Sequence, residues 1–100
     1  MARYYAHTLI LPDNTHLDNF IIEVSPQGVL YYPFMGEIHS TIYIDKIILC
    51  SYRADLNDKT IALNQLEWAL GTASNKAELY VYTLTPCASC TSERYIATKL

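Results

Sequence analysis

Two cysteines near the carboxyl end form the most compact chemical motif of this sequence. Cys87 and Cys90 stand in the segment Pro-Cys-Ala-Ser-Cys, whose spacing lets two thiolates reach one metal ion or each other. A structural zinc site needs four ligands, and Cys50 with one of the histidines would complete a set of three cysteines and one histidine. The sequence therefore predicts a candidate zinc thiolate site at Cys50, Cys87 and Cys90.

Cys50 also has an ordinary structural interpretation. It ends the apolar run Ile-Ile-Leu-Cys, where a buried and unreactive thiol is the usual outcome. Three cysteines, an odd number, do not make the even disulfide framework of a small secreted protein. We therefore expect reduced thiols and a cytoplasmic location.

The region around the cysteine pair is similar to a known zinc motif. Residues 78–95 resemble the second zinc motif of nucleoside and nucleobase deaminases, in which a strand leads into Pro-Cys-x-x-Cys and a helix follows. In that family a His or Cys ligand on the preceding helix stands two residues before a catalytic Glu. Here Gln65 stands two residues before Glu67, and the chain contains no His-x-Glu triplet. The resemblance implies a zinc-binding remnant without catalysis.

A second candidate site lies in a segment where polar and apolar residues alternate. One face of this segment carries Ile38, Ser40, Ile42 and Ile44. Glu37 and His39 share the other, polar face and are close enough for a hydrogen bond. A His beside a carboxylate can act as a general base or a metal ligand. The alternative is an ordinary strand face in contact with solvent.

A sheet must position these residues, because most of the chain has strand composition. We predict strands at residues 4–11, 17–24, 29–34 and 78–84, with turns at 12–15 and 25–28. Pro33 marks the end of the third strand or an edge position. Residues 37–52 are either two strands joined at residues 45–46 or a single long, bent strand. After Pro86 the chain either begins a helix or continues extended.

A helix is predicted at about residues 60–70. Apolar residues recur there at spacings of three and four: Ala62, Leu63, Leu66, Ala69 and Leu70. The polar loop at residues 53–59 offers an N-cap, and Gly71 offers a C-cap. We predict one small β-rich domain, residues 1–100, of the α+β class. Its mainly antiparallel sheet has about five to six strands, and the helix packs on one face.

Composition excludes several classes of function. Seven Lys and Arg against ten Asp and Glu give a net charge of −3, which lacks the basic excess of a nucleic-acid-binding protein. No apolar run approaches the roughly 20 residues that span a membrane. Motifs for phosphate-binding loops and for the serine hydrolase elbow are missing from the sequence. Neither nucleic acid nor a membrane is expected as a partner.

The leading interpretation of function rests on the tyrosines and on the small share of charged residues. Only 17% of the residues are charged, against about 25% in an average soluble domain. Most of the nine tyrosines fall in predicted strands or at their ends: Tyr4, Tyr5, Tyr31, Tyr32, Tyr43, Tyr52, Tyr80 and Tyr82. Tyrosine is enriched at protein interfaces. The sequence favours a non-enzymatic domain that binds a protein partner or forms a homodimer through a tyrosine-rich sheet surface. A zinc thiolate domain is the alternative.

Overall fold

Most of the chain is extended, because β-branched and aromatic residues fill the segments between polar turns. The computed structural model describes residues 2–36, 41–71, 78–87 and 94–100, with residues 41–46 described by their backbone. The strands are β1 (Ala2–Ile10), β2 (His16–Ser25), β3 (Gly28–Pro33), β4 (Thr41–Ser51), β5 (Thr60–Ala62), β6 (Tyr80–Pro86) and β7 (Arg94–Lys99). Helix α1 covers Glu67–Leu70.

The described strands form one sheet in the order β3-β2-β1-β4-β6-β7-β5. β1 and β4 run parallel, and the other neighbouring strands run antiparallel. A sheet-rich domain of the α+β type is therefore confirmed, but the predicted sheet of about five to six antiparallel strands is corrected to a mixed sheet of seven. The parallel pair arises because β1, β2 and β3 form a meander, after which the chain crosses to the other side of β1.

The helix predicted at residues 60–70 is wrong over most of its length. Thr60–Ala62 form β5, which pairs with β7, and α1 begins only at Glu67. Thr and Ile have high strand propensity, and the backbone groups of β7 supply the partner that an extended segment needs. Of the apolar residues in the predicted spacing, Leu66, Ala69 and Leu70 are nevertheless buried in one cluster and Leu63 packs against it. Ile61, which that spacing did not include, is buried in the same cluster.

The N-terminal end of α1 differs from the prediction, and its C-terminal end agrees with it. Leu66 occupies the N-cap position without a side-chain hydrogen bond, so the polar loop before it does not cap the helix. Gly71 follows the last helical residue with φ of 74°, a left-handed conformation that glycine adopts at little cost. The predicted C-cap is therefore confirmed.

β4 is one long strand and does not contain a hairpin. Ala6 of β1 pairs with Ile44, and Thr8 pairs with Ile47, so β4 has one more residue than β1 in this interval. Such a β-bulge bends a strand without ending it. The bent-strand alternative is correct for residues 41–51, and the proposed turn at residues 45–46 is wrong.

Apolar side chains form two clusters on opposite faces of the sheet. The first cluster joins the sheet to α1 and the loop after β4, and its members include Ile10, Leu49, Leu56, Leu66, Leu70, Tyr82 and Leu84. The second cluster includes Ala6, Leu9, Ile22, Ile48, Cys50 and Val81, with Val29 of β3 packed against it. Neighbours such as Leu9 and Ile10 belong to different clusters, since successive side chains of a strand point to opposite faces. The central strands are therefore covered on both sides.

The inward-facing side chains of β2 also depart from strict alternation. Leu17 and Phe20 both pack against the second cluster, although they are three positions apart and strict alternation allows only even intervals. Asn19, between them, has φ of 58°, a left-handed conformation that Asn tolerates better than most residues. This irregular residue keeps apolar side chains on the core side of β2 along its whole length.

Candidate functional site

The structure separates cysteines that the sequence grouped into one metal site. Cys50 lies opposite Val81 in the β4–β6 pair, whereas Cys87 comes directly after the end of β6. The interval from Val81 to Cys87, at about 3.3 Å per residue, places the two cysteines roughly 20 Å apart. Cys50 is a free, buried thiol, and burial raises its pKa to about 12, so that it stays protonated. Cys50 therefore does not share a metal ion with Cys87.

Cys87 lies in a β-hairpin. Its backbone N–H donates to the carbonyl of Arg94 at 2.9 Å and continues the β6–β7 ladder. The extended alternative is correct for residues 94–99, which form β7, whereas residues 88–93 lie outside the described residues. Cys87 is disulfide-bonded, so the prediction of reduced thiols holds for Cys50 and is wrong for Cys87, because an odd total still permits one bond. Cys90 lies outside the described residues.

The other candidate ligands are not brought together in the described part of the chain. Among the described residues, no three His, Cys, Asp or Glu side chains lie close enough to hold a metal ion. His7 of β1 and His16 of β2 are exposed, and His16 Nε2 lies 3.1 Å from the side-chain oxygen of Asn14. The candidate polar site at Glu37 and His39 falls outside the described residues.

Polar groups beside α1 form a connected network. The Arg53 guanidinium donates to both carboxylate oxygens of Asp55, at 2.9 and 2.7 Å, and to the Trp68 carbonyl at 2.9 Å. The hydrogen bond from Arg53 lowers the pKa of the Asp55 carboxyl. Tyr82, on the sheet, donates its hydroxyl to the Arg53 carbonyl at 2.7 Å. Since these groups bond to one another, the network fixes the loop after β4 rather than offering a binding site.

Exposed apolar side chains concentrate at the outermost strand. Leu30 and Tyr31 of β3 are 61% and 42% exposed, and Met35, just after β3, is 88% exposed. The remaining large apolar side chain that is exposed among the described residues is Trp68 of α1. β3 itself has no charged residue. This strand therefore presents apolar surface to solvent at one edge of the sheet.

The pairing of β3 with β2 identifies which of its backbone groups face away from the sheet. Ser25 and Gly28 pair across the turn between the strands, and the Phe34 N–H donates to the Asn19 carbonyl at 2.9 Å. In an antiparallel ladder such hydrogen-bonded pairs alternate with pairs whose backbone groups point outward. Every second residue of β3, counted from Gly28, is consequently bonded to β2.

The residues between them face outward. These are Val29, Tyr31 and Pro33, and Pro33 has no N–H to donate. Pro33 is both the last residue of β3 and part of the outermost strand, which confirms the two positions expected for it. We call this surface the β3 edge: the outward N–H and C=O groups of Val29 and Tyr31 together with the side chains of Leu30, Tyr31 and Met35.

The carboxylate beside the β3 edge is already bound. Glu23 of β2 lies opposite Leu30, and its Oε1 is 3.6 Å from Nη2 of Arg3. Tyr32 also hydrogen-bonds to the Glu23 carboxylate, and this bond raises the pKa of the Tyr32 hydroxyl. A paired carboxylate opposes the approach of another chain less than a free one. β3 itself is therefore uncharged and Glu23 beside it is paired, while Glu78 lines the same depression as Val29, and Asp13 lines the same one as Tyr31.

The opposite edge of the sheet is protected. β5 has three residues and follows Asp58 and Lys59 directly. Short edge strands with nearby charges resist pairing with other chains. The two edges of the sheet formed by the described strands therefore differ in length and in charge.

The tyrosines do not form one exposed surface. Tyr82 is fully buried and Tyr31 is exposed, and the other tyrosines whose side chains are described are half-buried: Tyr4, Tyr5, Tyr32, Tyr52, Tyr80 and Tyr95. Leu30 and Met35 were not identified from the sequence. The uncharged composition of residues 28–33, ending in proline, was the available signal for an exposed edge.

No protein-family model, curated protein or solved structure matches the chain. In the part of the chain that the structure describes, no helix is long and apolar enough to cross a membrane. The geometry of the β3 edge is therefore the basis for assigning a function.

Proposed function

We propose that this protein is an interaction domain that self-associates through the β3 edge. The observation that carries the proposal is an uncharged outermost strand that combines outward backbone groups with exposed apolar side chains. A strand added there would bond to Val29 and Tyr31 and would remove Leu30 and Tyr31 from water. Natural sheets usually protect such an edge with charges, prolines or bulges. β3 has no charged residue, and its proline, Pro33, stands at its last position.

The size of the chain supports association. A domain of 100 residues buries a smaller fraction of its surface than a larger one, so pairing adds apolar burial that one copy cannot reach alone. Small chains commonly gain stability in this way. The small share of charged residues fits the same function, since charged surface residues normally oppose association.

A zinc thiolate function has less support. Cys50 is buried far from Cys87, and zinc binding at Cys87 would first require reduction of its disulfide. The zinc alternative and the cytoplasmic location both stay predictions. Elemental analysis after reduction tests the first, since a bound structural zinc would be close to stoichiometric.

Light scattering on charge variants tests the proposed function. Leu30→Lys places a charge on the β3 edge without emptying a buried site, and Thr60→Lys places the same charge on β5 as a matched control. We expect the mass of wild-type and Thr60→Lys chains to rise above the 11.4 kDa monomer between about 10 μM and 1 mM. Leu30→Lys should remain monomeric with unchanged circular dichroism.

Two results would overturn the proposal. A wild-type chain that is monomeric over the whole concentration range removes self-association. Equal association of Leu30→Lys and the wild type assigns the contact to another surface.

A further inference from the structure

We infer that two copies pair through antiparallel β3 strands, with Leu30 of each copy on the two-fold axis. The inference rests on the proposed self-association and specifies its partner and geometry: the partner is a second copy of this chain, and the two sheets become continuous. The backbone groups of β3, the position of Pro33 and the difference between the two sheet edges each support this arrangement.

Backbone hydrogen bonds define the register of the pair. Val29 and Tyr31 each direct an N–H and a C=O away from β2. When Val29 lies opposite Tyr31 of the second copy, the two residues exchange two hydrogen bonds, and the pair related to it by the two-fold axis does the same. In each copy, the N–H and C=O groups of Val29 and Tyr31 are then all hydrogen-bonded.

Other registers leave groups unbonded. A shift by one residue places outward groups opposite inward ones. A shift by two in one direction places Pro33 opposite Val29, whose C=O then has no donor because proline lacks an N–H. A shift by two in the other direction places Tyr31 opposite Gln27, which belongs to the turn. The registers centred on Leu30 and on Tyr31 form the same number of backbone hydrogen bonds, so the side chains, and not Pro33 alone, select the register centred on Leu30.

The side chains agree with this register. Leu30, which is 61% exposed, meets its own copy at a non-hydrogen-bonded position, where opposed Cα atoms lie about 4.5 Å apart. On the other face Tyr31 lies opposite Val29, an aromatic and β-branched pair of the kind that stabilises sheets. β3 contributes no charge to the contact, and Glu23 beside it is bound to Arg3 and Tyr32.

The two sheet edges explain why the partner is a single second copy. Pairing β3 with β3 by a two-fold axis uses the same surface on both chains and closes the assembly. Pairing β3 with another edge would leave a second β3 free and would continue into a fibre. β5 is short and flanked by Asp58 and Lys59, so the closed pair leaves protected edges at both ends.

Amide exchange measured by NMR tests the geometry. We expect the N–H groups of Val29 and Tyr31 to exchange at least about tenfold more slowly as the protein concentration rises through the dissociation constant. Leu30 and Tyr32 are the internal controls, because their N–H groups are already bonded to β2 and should change much less. The exchange experiment and the mass measurement use the same wild-type protein.

Cross-linking gives an independent readout of the two-fold axis. Leu30→Cys places two thiols at Cα positions about 4.5 Å apart, within the range that a disulfide bridges. With oxidised glutathione as the oxidant, we expect a covalent dimer from Leu30→Cys, and none from Thr60→Cys on β5 or from the wild type. Thr60 is exposed like Leu30, so it controls for random collision.

The outcomes separate this inference from the proposed function. If the chain dimerises but Val29 and Tyr31 are not protected and Leu30→Cys does not cross-link, the geometry is wrong and self-association stands. Equal cross-linking of Leu30→Cys and Thr60→Cys also overturns the geometry. A monomer at every concentration overturns both.

Discussion

Tyr82 shows how one buried polar side chain holds the region beside α1. Its ring is fully buried in the first cluster, and its hydroxyl donates to the Arg53 carbonyl at 2.7 Å. The Leu56 N–H donates to the Tyr82 hydroxyl oxygen at 3.5 Å. The hydroxyl therefore satisfies backbone groups of a loop that has no regular secondary structure of its own.

Tyr82→Phe removes the hydroxyl and keeps the ring. We expect a loss of about 1–2 kcal/mol in the free energy of unfolding, because buried backbone groups lose their partner. Urea denaturation measures the change. Tyr80→Phe is the control, since the Tyr80 hydroxyl lies 3.4 Å from Glu78 in an exposed pair, and its loss should cost less than about 0.5 kcal/mol. Equal losses for the two variants would contradict this role of Tyr82.

The ion pair of Arg53 and Asp55 predicts a dependence of stability on pH. The hydrogen bond from Arg53 lowers the pKa of Asp55 in the folded state. The resulting stabilisation is present above the unfolded pKa of about 3.9 and is lost as the pH falls through the lower folded value. Asp55→Asn should therefore be less stable than the wild type at pH 7, and the difference should shrink below about pH 3.

Urea denaturation at both pH values measures that difference. Glu67→Gln, which removes a carboxylate on α1, is the control for a general effect of charge. A difference between Asp55→Asn and the wild type that is the same at pH 7 and at low pH would show that the ion pair does not contribute through its charge.

At the scale of elements, the strands that depend on local pattern were predictable and those that depend on distant partners were not. β1, β2, β3 and β6 follow from strand composition between turn residues. β5 has only three residues, too few for a recognisable strand pattern, and it is extended because it pairs with β7. The bulge in β4 falls among polar residues that, taken locally, indicate a turn equally well.

The candidate site was predictable in part for the same reason. Pro33 indicated the end or edge of a strand from its chemistry alone. The exposure of Leu30 and Met35 depends on β3 being the outermost strand. The strand order depends on how the chain crosses from β3 to β4, and local sequence patterns do not predict that crossover. Cys50 and Cys87 could be grouped by chemistry, but their separation depends on the β4–β6 register.

Gly71 connects the end of α1 to the loop beside it. Its φ of 74° and ψ of −170° form a conformation that is almost restricted to glycine, and an added Cβ would lie 2.9 Å from Cγ of Arg53. We expect Gly71→Ala to lower the free energy of unfolding by about 2 kcal/mol or more, measured by urea denaturation. Gly36→Ala is the control: its φ of 134° is also unfavourable, but a Cβ there meets nothing within 4 Å. A smaller loss for Gly71→Ala than for Gly36→Ala would contradict the crowding at Arg53.

At the scale of the whole molecule, the two edges of the described sheet differ: β5 has three residues and follows two charged ones, whereas β3 has six residues and no charge. The central strands are covered on both faces by the two clusters, so the remaining apolar surface of the sheet lies mainly at β3. A contact made there uses a six-residue strand without charges and ends at Pro33. In the proposed assembly, such a contact gives a closed pair and not a continuous fibre.

Sedimentation equilibrium of the wild-type chain tests self-association through the β3 edge most directly. We expect a mass that rises with concentration from 11.4 kDa and levels off at twice that value, because the proposed pairing uses one edge of each copy. A mass of 11.4 kDa at every concentration up to about 1 mM would contradict self-association. A mass that grows without levelling off would contradict the closed pair.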